Sequence, residues 1–261
     1  MRLAPGLGID AQELDPRLSE TSLQAVRDAR AGERNILSYY LHFLAQALRG
    51  EFGVSTSLGR PVGELLGERM PLTARSLAWG LGGAWLLALI TAVPGSLGGS
   101  RWYELGVTAF SGLFLCLPSA AVALLVVLAG GPAPLGITLV VFPRLFRHVR
   151  NLLVDAAGRP HVLAARAKGL GPTRILAFHL MPVAGARLIA LGGVSVSLGV
   201  GAAIPMEVIC DSPGIGQLVW LAALGRDLPT LIALTLLVSI VTLVANALSD
   251  LATTTPEAST A

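Results

Sequence analysis

The chain of 261 residues is 53% hydrophobic and only 13% charged, with a formal net charge of +3 at pH 7 and a mean hydropathy of +0.69. Apolar residues gathered into long uncharged runs exclude a soluble globular enzyme and define an all-α integral membrane protein. The basic excess is concentrated in one loop between apolar segments, so topology accounts for it and no nucleic-acid partner is implied.

Residues 1 to 71 hold eight arginines against nine acids. They are too polar to cross a bilayer and read as an external amphipathic helical segment. Acids and arginines alternate from Asp10 to Arg34, and the apolar-rich stretch Ile36 to Leu48 follows. No signal peptide is visible at Met1, because Arg2 leads into the turn-like Ala4-Pro5-Gly6 and not into an apolar core. A transmembrane domain is expected over 72–251, and residues 252–261, which include TTTPEASTA, read as a disordered tail.

A membrane helix needs roughly 20 apolar residues. Uncharged runs cover Ser76 to Ser100, Leu105 to Pro143, Leu188 to Met206 and Leu228 to Ser249. The second is too long for one span and divides at Gly130-Gly131-Pro132-Ala133-Pro134, where glycines and prolines oppose a continuous helix. Five spans result, near 76–100, 105–130, 134–154, 184–206 and 228–250. The third carries Arg144, Arg147 and Arg150 in its second half. Arginine at mid-bilayer costs about 2.5 to 3.5 kcal/mol on insertion scales. The three are expected at the cytoplasmic boundary, as interfacial anchors in preference to groups that touch a solute.

Residues 144 to 187 hold seven arginines and Lys168 against the single acid Asp155, so this loop belongs inside. The N-terminal segment and the Glu207 to Asp227 loop then lie outside, and the Arg101 to Glu104 turn and the tail inside. Within the inner loop, 155–183, Pro160 suits a first helical turn, a helix is expected over His161 to Leu170, and Gly171-Pro172 stops it. Thr173 is expected to cap the next helix. Gly169 reads as an αL exit or a point of close contact. Val162, Leu163, Ala167 and Leu170 are placed to dock an apolar edge, with Arg166 and Lys168 available to acidic partners or headgroups. The residues alone leave an amphipathic surface helix and a partner-docking helix equally open.

Cys116 and Cys210 are far apart in this topology, and the four histidines lack ligand spacing, so neither a disulfide nor a metal site is expected. No phosphate-binding loop and no catalytic constellation can be read in the sequence. Gly193, Ser197 and Gly201 recur every four residues as a smooth stripe expected to pack against another helix of the same subunit. Pro94, Pro118 and Pro143 are candidate kinks. Glu207 and Asp227 flank the outer loop. An acid there can meet the amino group of a peptide or a cation, although a helix cap or a pair with Arg226 is the preferred reading.

The order Ala164-Ala165, Gly169 and, after a fixed gap, Pro182 resembles the EAA loop of permease subunits in binding-protein-dependent ABC importers. The wording Ala164-Ala165-Arg166-Ala167-Lys168-Gly169-Leu170 with His179-Leu180-Met181-Pro182 is similar to the dipeptide, oligopeptide and nickel branch. Arg49-Gly50-Glu51-Phe52-Gly53, Ser55, Ser57, Arg60-Pro61-Val62, Glu207, Pro213-Gly214-Ile215-Gly216 and Arg226-Asp227 resemble the outer region of the same branch. Three departures stand out. The first of the family's expected six transmembrane helices is missing, since Arg2-Leu3-Ala4-Pro5-Gly6 looks like the residues that follow it; Leu163 stands where the acid of the EAA motif stands; and the tail lacks a basic extension.

The resemblance implies a peptide permease of the bacterial inner membrane, with nickel or another small solute as the alternative cargo and a degenerate, non-transporting scaffold as the alternative role. It implies a second homologous permease subunit, two cytoplasmic ATPase subunits that carry ATP and Mg, and an external solute-binding protein. Leu163, Ala164, Ala165, Arg166, Lys168, Gly169 and Pro182 would form the ATPase-coupling site, and Glu207, Pro213, Gly214, Gly216 and Asp227 an outer-loop site.

Overall fold

The computed structural model describes Gly50 and residues 52–253. The readings made for residues 1–49 and for most of the tail lie outside the described residues. The chain divides between Phe52 and Gly53, and the unit described here begins at Gly53.

Eight helices follow: α1 (Val62–Ser96), α2 (Arg101–Cys116), α3 (Ser119–Leu128), α4 (Ala133–Ala157), α5 (Pro160–Ala167), α6 (Pro172–Ile209), α7 (Ile215–Leu224) and α8 (Leu228–Thr253). Helices α1, α6 and α8 are long and apolar enough to cross a membrane, and α2 with α3 make a fourth crossing if the bent pair counts as one. The fifth expected span is α4. It is helical, and its 25 residues reach about 37 Å at 1.5 Å per residue, but Arg144, Arg147 and Arg150 interrupt its apolar run.

Helix α4 tolerates those arginines because protein, not lipid, surrounds its apolar side. Ile137, Val141, Leu145, Val149 and Leu153 are buried at successive helical turns. They face α1, whose buried positions Ser76, Gly80, Ala84, Ala88, Ala92 and Ser96 are small residues at every fourth place. Such a stripe lets two helices approach closely without needing a hydrophobic drive from lipid. At the tightest point a Cβ on Gly80 would stand 2.6 Å from Ile137, and the Thr138 hydroxyl donates to the Gly80 carbonyl at 2.9 Å.

Helix α1 has 35 residues, about 52 Å of helix against a hydrocarbon core of about 30 Å. It begins at Val62, so the expected boundary at residue 71/72 lies inside one continuous helix. The expected break at 130–134 appears between Leu128 and Ala133, with Gly130 at φ +69. The candidate kink at Pro118 is a full break: α2 and α3 meet at Leu117-Pro118 and are bent by 102°. Proline can neither donate to nor fit beside the preceding turn. The expected turn at Arg101 to Glu104 is instead the first turn of α2, and the chain reverses at Leu97 to Ser100.

Candidate functional sites

A helix was expected over His161 to Leu170, and α5 occupies that stretch in shorter form. Pro160 occupies its first turn, Val162 and Ala165 are buried, and Leu163 is 51% exposed beside exposed Ala164 and Ala167. Its exit is built by Gly169. The Gly169 amide donates to Arg166 O at 2.9 Å and the Leu170 amide to Ala165 O at 3.3 Å, the paired bonds of a Schellman cap. Gly169 sits at φ +73 with open space around it, so the left-handed backbone, and not crowding, calls for glycine. Lys168 is exposed. Arg166 departs from expectation: its guanidinium donates to the Ser96 carbonyl at 3.1 Å and ties α5 to the end of α1.

Gly171, not Thr173, precedes the next helix, with Pro172 in its first turn. The short helix expected there is continuous with α6 through one π turn, Leu176–Leu180. Pro182 explains that widening, since it has no N–H and its ring would crowd the carbonyl four residues back, at Phe178.

At the opposite end of α6, Glu207 is fully buried. It accepts from the Thr73 hydroxyl and the Gly216 amide, both at 2.6 Å. Thr73 in turn accepts from the Ile215 amide at 2.8 Å. The carboxylate thus sits at the first turn of α7, where it complements the helix dipole. A Cβ on Gly214 would strike this carboxylate, and one on Gly216 would come 2.6 Å from the Ile204 backbone. Pro213 is exposed in the turn that leads from α6 to Gly214. In this arrangement Glu207 bonds within the protein and exposes no surface.

Asp227 is likewise fully buried, at the first turn of α8. Ser55 donates to it at 2.5 Å, Ser57 at 3.0 Å, Thr230 at 2.8 Å, and the Thr56 amide and hydroxyl each at 3.2 Å. The Thr230 amide, at 3.4 Å, marks a helix cap. Burial pushes this carboxyl up, but the hydrogen bonds from Ser55, Thr230, Thr56 and Ser57 outweigh it and hold the pKa at about 2. The preferred reading, a cap, describes Asp227. The partner is the Ser55 to Ser57 turn and not Arg226.

A third site was not read from the sequence. A cavity of about 490 Å³ opens at the α2–α3 break and is lined by Cys116, Ser119, Arg144, Ser197 and Gly201. The stripe Gly193, Ser197, Gly201 therefore divides. A Cβ on Gly193 would strike the Ala245 carbonyl and Ser249 of α8, whereas Ser197 and Gly201 face the cavity. The three arginines separate too: Arg150 pairs with Glu104 at 3.1 Å, Arg147 passes Gly112, and Arg144 turns into the cavity. No hydrophobic pattern could have announced this, because the wall comes from four different helices.

The family of binding-protein-dependent transport system inner membrane components matches residues 84–255. The chain belongs to this family. It is 25% identical over 284 residues to the oligopeptide transport system permease protein AppB of Bacillus subtilis, covering 96% of this chain and 88% of that one. It is 28% identical over 271 residues to the oligopeptide transport system permease protein OppB of Mycobacterium bovis, covering 87% and 82%. Its fold resembles a solved inward-facing structure of the MetNI methionine ABC transporter, at a TM-score of 0.60 and 21% identity, over 71% of this chain and 93% of that one. The chain is a multi-pass membrane protein and a translocation-pathway subunit of an ABC importer; ATP hydrolysis is carried by separate subunits.

Proposed function

We propose that this chain forms half of the pathway of a peptide importer of the bacterial inner membrane and couples it to ATP hydrolysis through α5. The partners in this reading are a second homologous permease, two cytoplasmic ATPase subunits that bind ATP and Mg, and an external solute-binding protein. The permease names of the relatives in Bacillus subtilis and Mycobacterium bovis support peptide as the cargo.

The carrying observation is the shape of α5. A short helix with Val162 and Ala165 buried and Leu163, Ala164 and Ala167 exposed offers a convex apolar knob to another protein. Gly169, Lys168 and the Schellman cap fix where that knob ends, and the Arg166 to Ser96 bond returns its displacement to a membrane helix. Closure of the ATPases moves α5, and α1 and α6 follow, so the cavity opens first to one side and then to the other. Pro182 and its π turn mark where α6 yields. Glu207, Pro213, Gly214, Gly216 and Asp227 form the structural frame of the outer loop on which a binding protein docks.

Gly169→Asp tests the assignment, because aspartate enters the left-handed region at modest cost while placing a negative charge beside the knob. Membrane insertion should persist, and uptake and association with the ATPase should both be lost. Uptake at the wild-type rate in that variant would overturn the coupling role.

A further inference from the structure

We propose that the cavity at the α2–α3 break is an anion-binding station in the pathway, at which Arg144 receives a carboxylate of the passing solute. The inference rests on the importer reading and adds to it the chemistry that the pathway selects.

Three independent features meet there. Arg144 lies roughly midway along α4 (Ala133–Ala157), is exposed, lines the cavity, and makes no hydrogen bond or ion pair among the described residues. A guanidinium cannot lose its charge in a protein, and a charged side chain of a membrane protein that faces a cavity is a candidate for contact with the solute. Arg150, two turns along, shows the contrast, since it has the carboxylate of Glu104.

The second feature is Ser197, whose hydroxyl is buried on the same wall and has no hydrogen-bond partner. Leaving a buried hydroxyl without a partner is unfavourable, and an acceptor entering the cavity would supply one. The third is the break itself. Helix α3 starts at Ser119 on the cavity wall, and its first amide to return to the chain is that of Ala121, which donates to Pro118 O at 2.9 Å. Helix-starting amides have no acceptor within their own helix, and broken membrane helices direct such ends at anionic parts of solutes. A bidentate cation, a free hydroxyl donor and a helix N-terminus together fit the planar, doubly accepting geometry of a carboxylate.

Cys116, on the same wall, reports on the cavity whatever the cargo. In membranes holding the assembled transporter with Cys210→Ser, its rates of modification by an anionic sulfonatoethyl and a cationic trimethylammonioethyl methanethiosulfonate are compared. A fixed positive charge should favour the anionic reagent by about tenfold or more, a ratio retained in Arg144→Lys and falling toward about one in Arg144→Gln. Trialanine should protect Cys116, and trialanine amide, which lacks the carboxylate, should not. Uptake by Arg144→Gln should fall about tenfold for trialanine and stay near wild type for the amide.

An unchanged reagent ratio in Arg144→Gln overturns the station, whatever the peptides do. If the ratio falls but inorganic phosphate protects and trialanine does not, the carboxylate assignment is overturned. In that case the peptide reading of the transporter fails separately from the positive site.

Discussion

Asp227 concentrates more hydrogen bonds than any other described side chain, and its chemistry gives a pH signature. Its carboxyl titrates at about 2 in the folded protein, against a usual value of 3.8. Because the folded pKa is depressed, the stabilisation is fully present above about pH 4 and is lost as pH falls from there through about 2. The difference is worth roughly 2 kcal/mol. Asp227→Asn should therefore lower the melting temperature of the purified protein at pH 7 by several degrees, and the gap to wild type should narrow markedly at pH 3. A gap of equal size at both values would show that charge is not what Asp227 contributes. The acid was legible in the sequence, as were Ser55 and Ser57, each as part of a familiar outer region. Their meeting was not, because about 170 residues of chain separate the hydroxyls from the carboxylate they hold, and local patterns carry no such information. Thr73 had no signal at all, since one threonine in an apolar helix looks like any other.

At the level of helices, the α1–α4 pair is set by glycine. Gly80→Ala places a methyl 2.6 Å from Ile137 and must push the two helices apart, at a cost of about 1 to 3 kcal/mol typical of overpacking. Gly82→Ala, on the same helix but with nothing within 4 Å, should be silent or slightly stabilising through better helix propensity. Thermal unfolding in detergent of the two variants side by side checks both, and equal behaviour would refute the close-contact account. The small-residue stripe from Ser76 to Ser96 escaped sequence reading because serine, glycine and alanine scarcely alter a hydropathy trace. The Gly193 to Gly201 stripe was seen, yet one half of it packs and the other half lines a cavity. Periodicity identifies a face of a helix, but what covers that face depends on neighbours that come from elsewhere in the chain. The Gly169 exit was legible for a better reason, since a left-handed residue after a helix is a local requirement. Helix α5 is shorter than expected for the same reason: Gly169 and Leu170 are spent on its cap.

For the molecule as a whole, the charge asymmetry predicts a single orientation. In a background of Cys116→Ser and Cys210→Ser, Leu163→Cys should react with an impermeant maleimide only in inverted vesicles, and Trp220→Cys only in intact cells. Both positions are well exposed, at 51% and 49%, so accessibility will report sidedness; labelling of both from one face would reverse or break the proposed topology. The two ends so distinguished are joined by one continuous helix. Helix α1 offers Thr73 to the buried Glu207 and, about 34 Å further along at 1.5 Å per residue, its Ser96 carbonyl to Arg166 of α5. In the proposed mechanism, displacement of α5 reaches α1 through the Arg166 to Ser96 bond, and the same helix bears the Thr73 hydroxyl that holds Glu207, so one helix links the proposed coupling site to the frame of the outer loop.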